Sequence, residues 1–191
     1  FLEAAPLTAF VVLALQHCGY GDCEVVRKGL RFLQSTVLDD GSWPIDTNLR
    51  CWLTALAVRA LSDDLRKRPQ DGLRTAEWLV NSQHCQLHPY TGAPPGGWAW
   101  TDLTGGVPDA DDTSAALIAL FYLREFVDKS VLNKAVRSAL IWLLDLQNSD
   151  GGMPTFCRGW GRLPFDRSCC DITAHALEAF VFWRILNVES E

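Results

Sequence analysis

The chain has 191 residues, 48% of them hydrophobic, a formal net charge of −6 and a pI near 5.2. That length fits one packed domain and is short for two large ones. The acidic balance and the lack of any long Lys/Arg cluster exclude a nucleic-acid face. No run of about 18 or more apolar residues is free of charges or breakers, so no transmembrane helix is expected.

The first element in chain order is TAFVVLAL, starting at Thr8 and apolar all round, which suits a helix buried on several sides. RFLQSTVLDDGSW (31–43) follows, with an aromatic followed by Leu and then a Gly nine residues on, Phe32 to Gly41. A second apolar block, TALAVRAL, starts at Thr54 behind Trp52 and Leu53, and EWLVNSQ (77–83) is its aromatic-Leu companion. The loop 84–111, rich in Gly, Pro and aromatics, leads into TSAALIAL at Thr113. SVLNKAVRSALIWLLDLQ (130–147) has apolar residues at helical spacing, with Lys134 and Arg137 between them, and ends in the turn signal Asn-Ser-Asp-Gly-Gly. There Trp142 precedes Gly151 by the same nine residues. A second long loop, 148–170, leads into TAHALEAF at Thr173. Loops of that length in a compact domain are usually functional.

The four apolar blocks start 46, 59 and 60 residues apart. Thr at their fronts, often beside Asp, is expected to supply the helix N-termini. The alternation predicts about seven helices, in antiparallel pairs with an apolar inner layer and an amphipathic outer one. The expected architecture is all-α, a single repeat domain over 1–191 with the acidic motif in the repeat at about 77–127.

That motif, GGVPDADDTSAALIAL (105–120), sets Asp109, Asp111 and Asp112 against the start of an apolar helix. Asp111 or Asp112 is expected to cap it, leaving carboxylates to spare. Neighbouring carboxylates repel and burial disfavours charge, so one of them stays protonated above its usual pKa. The other readings are a solvated acidic turn with one cap, or a site of three oxygen ligands for magnesium. His175 stands at the offset of Ala115 in the preceding block, where its ring can reach the acidic turn and orient an acid, or make an ordinary core hydrogen bond. Trp98, Trp100, Phe156, Trp160 and Phe165 lie in the two loops. Their faces suit a cationic intermediate, or they fill a core. HCQLH (84–88) offers metal-ligand side chains on a loop-like stretch. The seven cysteines are odd in number and lack a paired CxxC, as expected of reduced thiols in a cytoplasmic protein. The chain opens with Phe1 directly into a helix-like run, as a piece of a longer protein would.

PDADDT (108–113) resembles the DxDD signature of class II terpene cyclases. DITAHALEAF (171–180) resembles the segment of squalene-hopene cyclases that holds the histidine partner of the acid. DGSWP (40–44) and QNSDGGM (147–153) resemble their Gln–Trp repeats, with Val37 in place of one Gln and Met153 in place of one Trp. The resemblance covers most of the chain. It implies an α/α toroid, here about half a ring, which is completed by further chain or by another chain such as a second copy, or is a remnant that no longer catalyses. It implies an enzyme that protonates a terminal alkene or epoxide of a squalene-like polyprene and cyclises it through carbocations, with no metal or organic cofactor. By position, Asp111 would be the donor, Asp109 and Asp112 its supporting carboxylates, and His175 its partner. Trp100 would stabilise cations, and Phe156 stands where the family has a tyrosine. Trp98 and Asp171 join the implied substrate-facing set. A cytoplasmic enzyme touching a membrane surface is the expected setting. Two other readings stand beside it: a non-catalytic α/α repeat domain binding a lipid or a protein, and a zinc prenyltransferase-like toroid, which needs an Asp, Cys, His ligand set.

Overall fold

The computed structural model describes residues 5–43, 48–89, 91–103, 105–155 and 166–187, with side chains to 183 in the last stretch. Among these the α-helices are α1 (Ala5–His17), α2 (Glu24–Ser35), α3 (Arg50–Lys67), α4 (Pro69–Asn81), α5 (Ala110–Tyr122), α6 (Lys129–Leu146) and α7 (Cys170–Asn187), with a 3₁₀ turn at Arg124–Phe126. Extended pairing among the described residues is confined to isolated bridges, Trp98 with Asp109 and Met153 with Cys169. The fold is all-α, as the repeats implied, and of the α/α-toroid type that the resemblance implied. No helix among the described residues is long and apolar enough to cross a membrane.

The chain forms two compact units, residues 1–49 with 103–105, and residues 50–102 with 106–191. In the first, α1 packs on α2. Gly29 permits this, because a Cβ there would stand 2.6 Å from the Val12 side chain. Trp43 closes the turn after α2 by donating its indole N–H to Leu33 O at 2.7 Å.

In the second unit α5 is the centre, packed on α3, α6 and α7. Every residue from Ala110 to Leu120 except Asp111 is buried, as the apolar run from Ala115 requires, and the burial extends to Asp112, Thr113 and Ser114 in the first turn. Leu117, Ile118 and Leu120 are at or near zero exposure, each contributing about 1.5–3 kcal/mol of burial. α6 is amphipathic as expected. Leu132, Ala135, Val136, Ala139, Trp142, Leu143 and Leu146 face the core while Lys134 and Arg137 stay in water. Asp128 caps it, accepting from Ser130 N and Val131 N at 2.9 and 3.2 Å. α4 starts with Pro69 in its first turn, where the missing N–H costs nothing.

Candidate active site

The site is built on a short strap, residues 96–98, pressed against α6 and then against the front of α5. Gly96 has φ +127°, and a Cβ there would meet Ser138 O at 2.8 Å. Only glycine fits. Gln83 Nε2 holds the strap by donating to Gly96 O at 2.7 Å and to Ala135 O at 2.9 Å. Trp142 Nε1 donates to Pro94 O at 3.1 Å. At the end of the strap Asp109 N donates to Trp98 O at 3.1 Å, and Trp98 N donates to Thr113 Oγ1 at 2.9 Å.

This corrects two expectations. Helix α5 begins at Ala110, so Thr113 lies inside its first turn and serves as the acceptor for the strap, not as the cap. Nor does Asp111 or Asp112 cap the helix. Asp109 does, with extended backbone at φ −137°, ψ 167°, and Oδ1 accepting from Asp112 N at 2.7 Å. The strap bond to Asp109 N fixes that residue outside the helix, which leaves the other two aspartates in the first turn. Trp98 is a third correction. It is 0% exposed and donates its indole N–H to Leu79 O at 2.8 Å, so its ring fills the core and presents no face to a substrate.

Asp109 is 4% exposed and Asp112 7%. Burial first, then the neighbouring Asp112, lifts Asp109 well above the ordinary carboxylate range. Burial also pushes Asp112 up to about 6; the hydrogen bond with Asp109 and the charge of His175 restrain that rise, while Asp111 adds to it. Asp112 Oδ1 is buried with no hydrogen-bond partner among the described residues. Behind the pair stands Cys51 at the front of α3. Burial, then the Asp102 and Asp112 carboxylates, pushes its thiol up to about 12. Cys51 N donates to Trp100 O at 2.9 Å, tying α3 to the loop that carries Trp100. Trp100 itself is half-buried.

Asp111 differs from its neighbours. Its side chain is 42% exposed, and its Oδ1 lies 2.6 Å from Nδ1 of His175, whose side chain is 22% exposed. The front of α7 explains how the imidazole arrives there. Met153 and Cys169 form a second bridge, Met153 N donates to Thr173 Oγ1 at 2.9 Å, and the Thr173 hydroxyl donates to Cys169 O at 2.6 Å. These bonds fix the rotation of α7 and set His175 against α5. Asp171 serves its own helix front, accepting from Cys169 Sγ at 2.7 Å and Ile172 N at 3.0 Å. Those two bonds hold its carboxyl below the usual range.

Phe156, Trp160 and Phe165 lie outside the described residues. In HCQLH, His84 and His88 have ring centroids 5.7 Å apart, and the buried His88 has its Nδ1 2.9 Å from Thr91 Oγ1. Among the described residues no group of three or more His, Cys, Asp or Glu is placed to hold a metal. A groove of about 750 Å³ between α3 and α4, lined by Thr54, Arg68, Asp71, Arg74 and Trp78 among others, includes none of Asp109, Asp111, Asp112 and His175. Sequence reading missed Gln83, Cys51 and the strap function of Thr113 and Thr173. For Gln83 a signal existed, since Gln147 Nε2 reaches Gly151 O at 2.7 Å over a much shorter loop. Cys51 carried no signal, because its neighbours come from a different repeat.

Residues 49–185 match the family described as squalene-hopene cyclase C-terminal domain. A terpene cyclase–glycosyl transferase fusion protein of Humicola fuscoatra is 29% identical over 191 aligned residues, covering 82% of this chain and 14% of that protein. A squalene hopane cyclase of Aspergillus fumigatus is 31% identical, covering 71% of this chain and 21% of its own length. Sporulenol synthase of Bacillus subtilis is 26% identical, covering 80% and 24%. The chain thus spans between 14% and 24% of the length of these relatives.

Proposed function

This chain belongs to the squalene-hopene cyclase C-terminal domain family, and on that premise we propose that it carries the proton-donating site of a class II terpene cyclase acting on a polyprene. The observation that carries the reading is the 2.6 Å contact between Asp111 and His175, set beside two buried carboxyls. An alkene is a very weak base, so its acid must be aimed and dry. With its proton on Nδ1, the imidazole donates to Asp111 Oδ1 and leaves the acidic proton on the other oxygen. That proton and the alkene π pair make a new C–H bond, and a tertiary cation remains. The π pair of the next double bond closes the ring. The final cation loses a proton, or takes up water and loses a proton from it, and Asp111, left as a carboxylate, is reprotonated from solvent. Atoms and electrons balance without a metal or organic cofactor. Trp100, half-buried ten residues before Ala110, supplies an aromatic face for a cation. Asp111 must be covered when substrate is bound, since water would compete for its proton.

The test is incubation of the intact protein with squalene and shorter polyprenes in D₂O. Cyclised product should carry one deuterium at the initiating carbon, and Asp111→Asn should remove it. Undiminished turnover by that variant, or polyprene binding with no product from the unmodified protein, would sink the reading in favour of a lipid-binding repeat domain.

A further inference from the structure

Helices α3 and α7 both pack on α5. Among the described residues a bidentate ion pair joins them. Arg59 Nη1 donates to Glu178 Oε2 at 3.0 Å and Nη2 donates to Glu178 Oε1 at 2.7 Å. We propose that this pair is a strap across the acid helix that positions His175 on Asp111.

The geometry supports it at three points. Glu178 follows His175 by three residues on α7, so the two side chains share a face of that helix, one turn apart. Whatever fixes Glu178 therefore fixes the rotation of that face. Arg59 and Glu178 lie 119 residues apart in sequence, on two helices that each pack on the helix carrying Asp111. Finally, the side chains are 47% and 35% exposed, and such partly solvated pairs add little to stability. The parallel double bond of a guanidinium and a carboxylate instead imposes direction. It works with the bond from Met153 N to Thr173 Oγ1, which anchors the front of α7. One anchor lies before His175 in sequence and one after it, and together they hold the imidazole against drift. Arg59 and Glu178 act through His175 and are positioning residues.

The proposal rests on the proton-donor reading only for its effect on turnover. Its effect on the imidazole rests on geometry, and the experiment separates the two. In ¹⁵N-histidine-labelled protein, the Nδ1 proton shared with Asp111 should give a strongly deshielded resonance, assigned by its loss in His175→Asn. Arg59→Ala and Glu178→Ala should each lose or sharply weaken it, and the exchanged pair Arg59→Glu with Glu178→Arg should restore it. Where Arg59→Ala does not fold, Arg59→Lys keeps the charge, loses the fork and should weaken the signal. Polyprene turnover should fall by about ten- to hundredfold in the single variants and recover in the exchanged pair. Persistence of the resonance in the single variants, or its failure to return in the exchanged pair, overturns the strap. A resonance that behaves as expected, with no cyclisation by any variant or by the unmodified protein, leaves the strap standing and removes the cyclase reading.

Discussion

The fronts of α5 and α7 follow one backbone plan, with residues of the second 60 positions after those of the first. Asp109 corresponds to Cys169, Asp111 to Asp171, Asp112 to Ile172, Thr113 to Thr173 and Ala115 to His175. Each front receives a bridge from a preceding glycine turn, and each threonine hydroxyl accepts the N–H of the bridging residue, at 2.9 Å in both. What fills the plan differs. At α5 the carboxyls of Asp109 and Asp112 are buried and pushed up; at α7 the carboxyl of Asp171 is exposed and pulled down by two hydrogen bonds. The carboxyls at matched positions are Asp111 and Asp171; both keep access to solvent, and they differ in partner, an imidazole for Asp111 and Cys169 Sγ with Ile172 N for Asp171. Helices from several directions enclose α5, while α7 packs chiefly on α5. The division also explains the imidazole. It occurs on the exposed front, and α5 has only Ala115 at the matching position.

The sharpest way to break the comparison is Asp111→Asn against Asp171→Asn. The first should cost about 10²–10⁴-fold in turnover, the usual worth of a positioned general acid. The second should cost under ~10-fold, because the hydrogen bonds of Asp171 go to Cys169 Sγ and Ile172 N at its own helix front. Equal losses in a product assay would merge the two fronts.

Next in size is Thr113→Val, which leaves the buried Trp98 N–H without its acceptor. Urea unfolding should show a loss of about 1–3 kcal/mol. Thr173→Val should lose about half as much, since water reaches the half-buried α7 front.

Asp112→Asn sharpens the electrostatic side. In the unfolded chain this carboxyl titrates near its ordinary 3.8, and in the fold near about 6. The fold therefore holds more protons in that window, and its stability falls as pH rises from about 4 to about 6. The amide removes that decline and should raise stability at pH 7 by about 3 kcal/mol, while turnover drops. Unfolding curves at pH 4 and pH 7 check it; an unchanged difference between them would exclude a buried Asp112 charge.

The smallest effect is expected from Cys169→Asp, which gives α7 the residue that caps α5. Capping should add about 0.5 kcal/mol in the same unfolding assay. A loss instead would show that repulsion from Asp171 dominates.

Much of the fold was legible because helices carry their period locally. The apolar block at 113–120 is buried as its all-round pattern requires and the amphipathic run at 130–147 encodes its buried face, whereas the block at 173–180 leaves Leu177 56% exposed. The pairing of His175 with the acidic turn was legible for the same reason, since repeat offsets carry over to neighbouring helices. The cap was not. Three aspartates within four positions look alike in sequence, and only the bond from Asp109 N to Trp98 O places Asp109 outside the helix. Trp98 was misread for a related reason. A loop tryptophan has the same composition whether it faces a cavity or, as here, Leu79 O.

By itself the sequence determined the helices, their inner and outer layers, and the residues available for acid chemistry, because those depend on spacing and residue type within a few turns. The tertiary structure alone decided which carboxyls lose water, which aspartate meets an imidazole 64 residues away, and that Arg59 finds Glu178 across 119 residues. Desolvation and pairing are properties of neighbours, and in a stack of helices the neighbours come from other repeats.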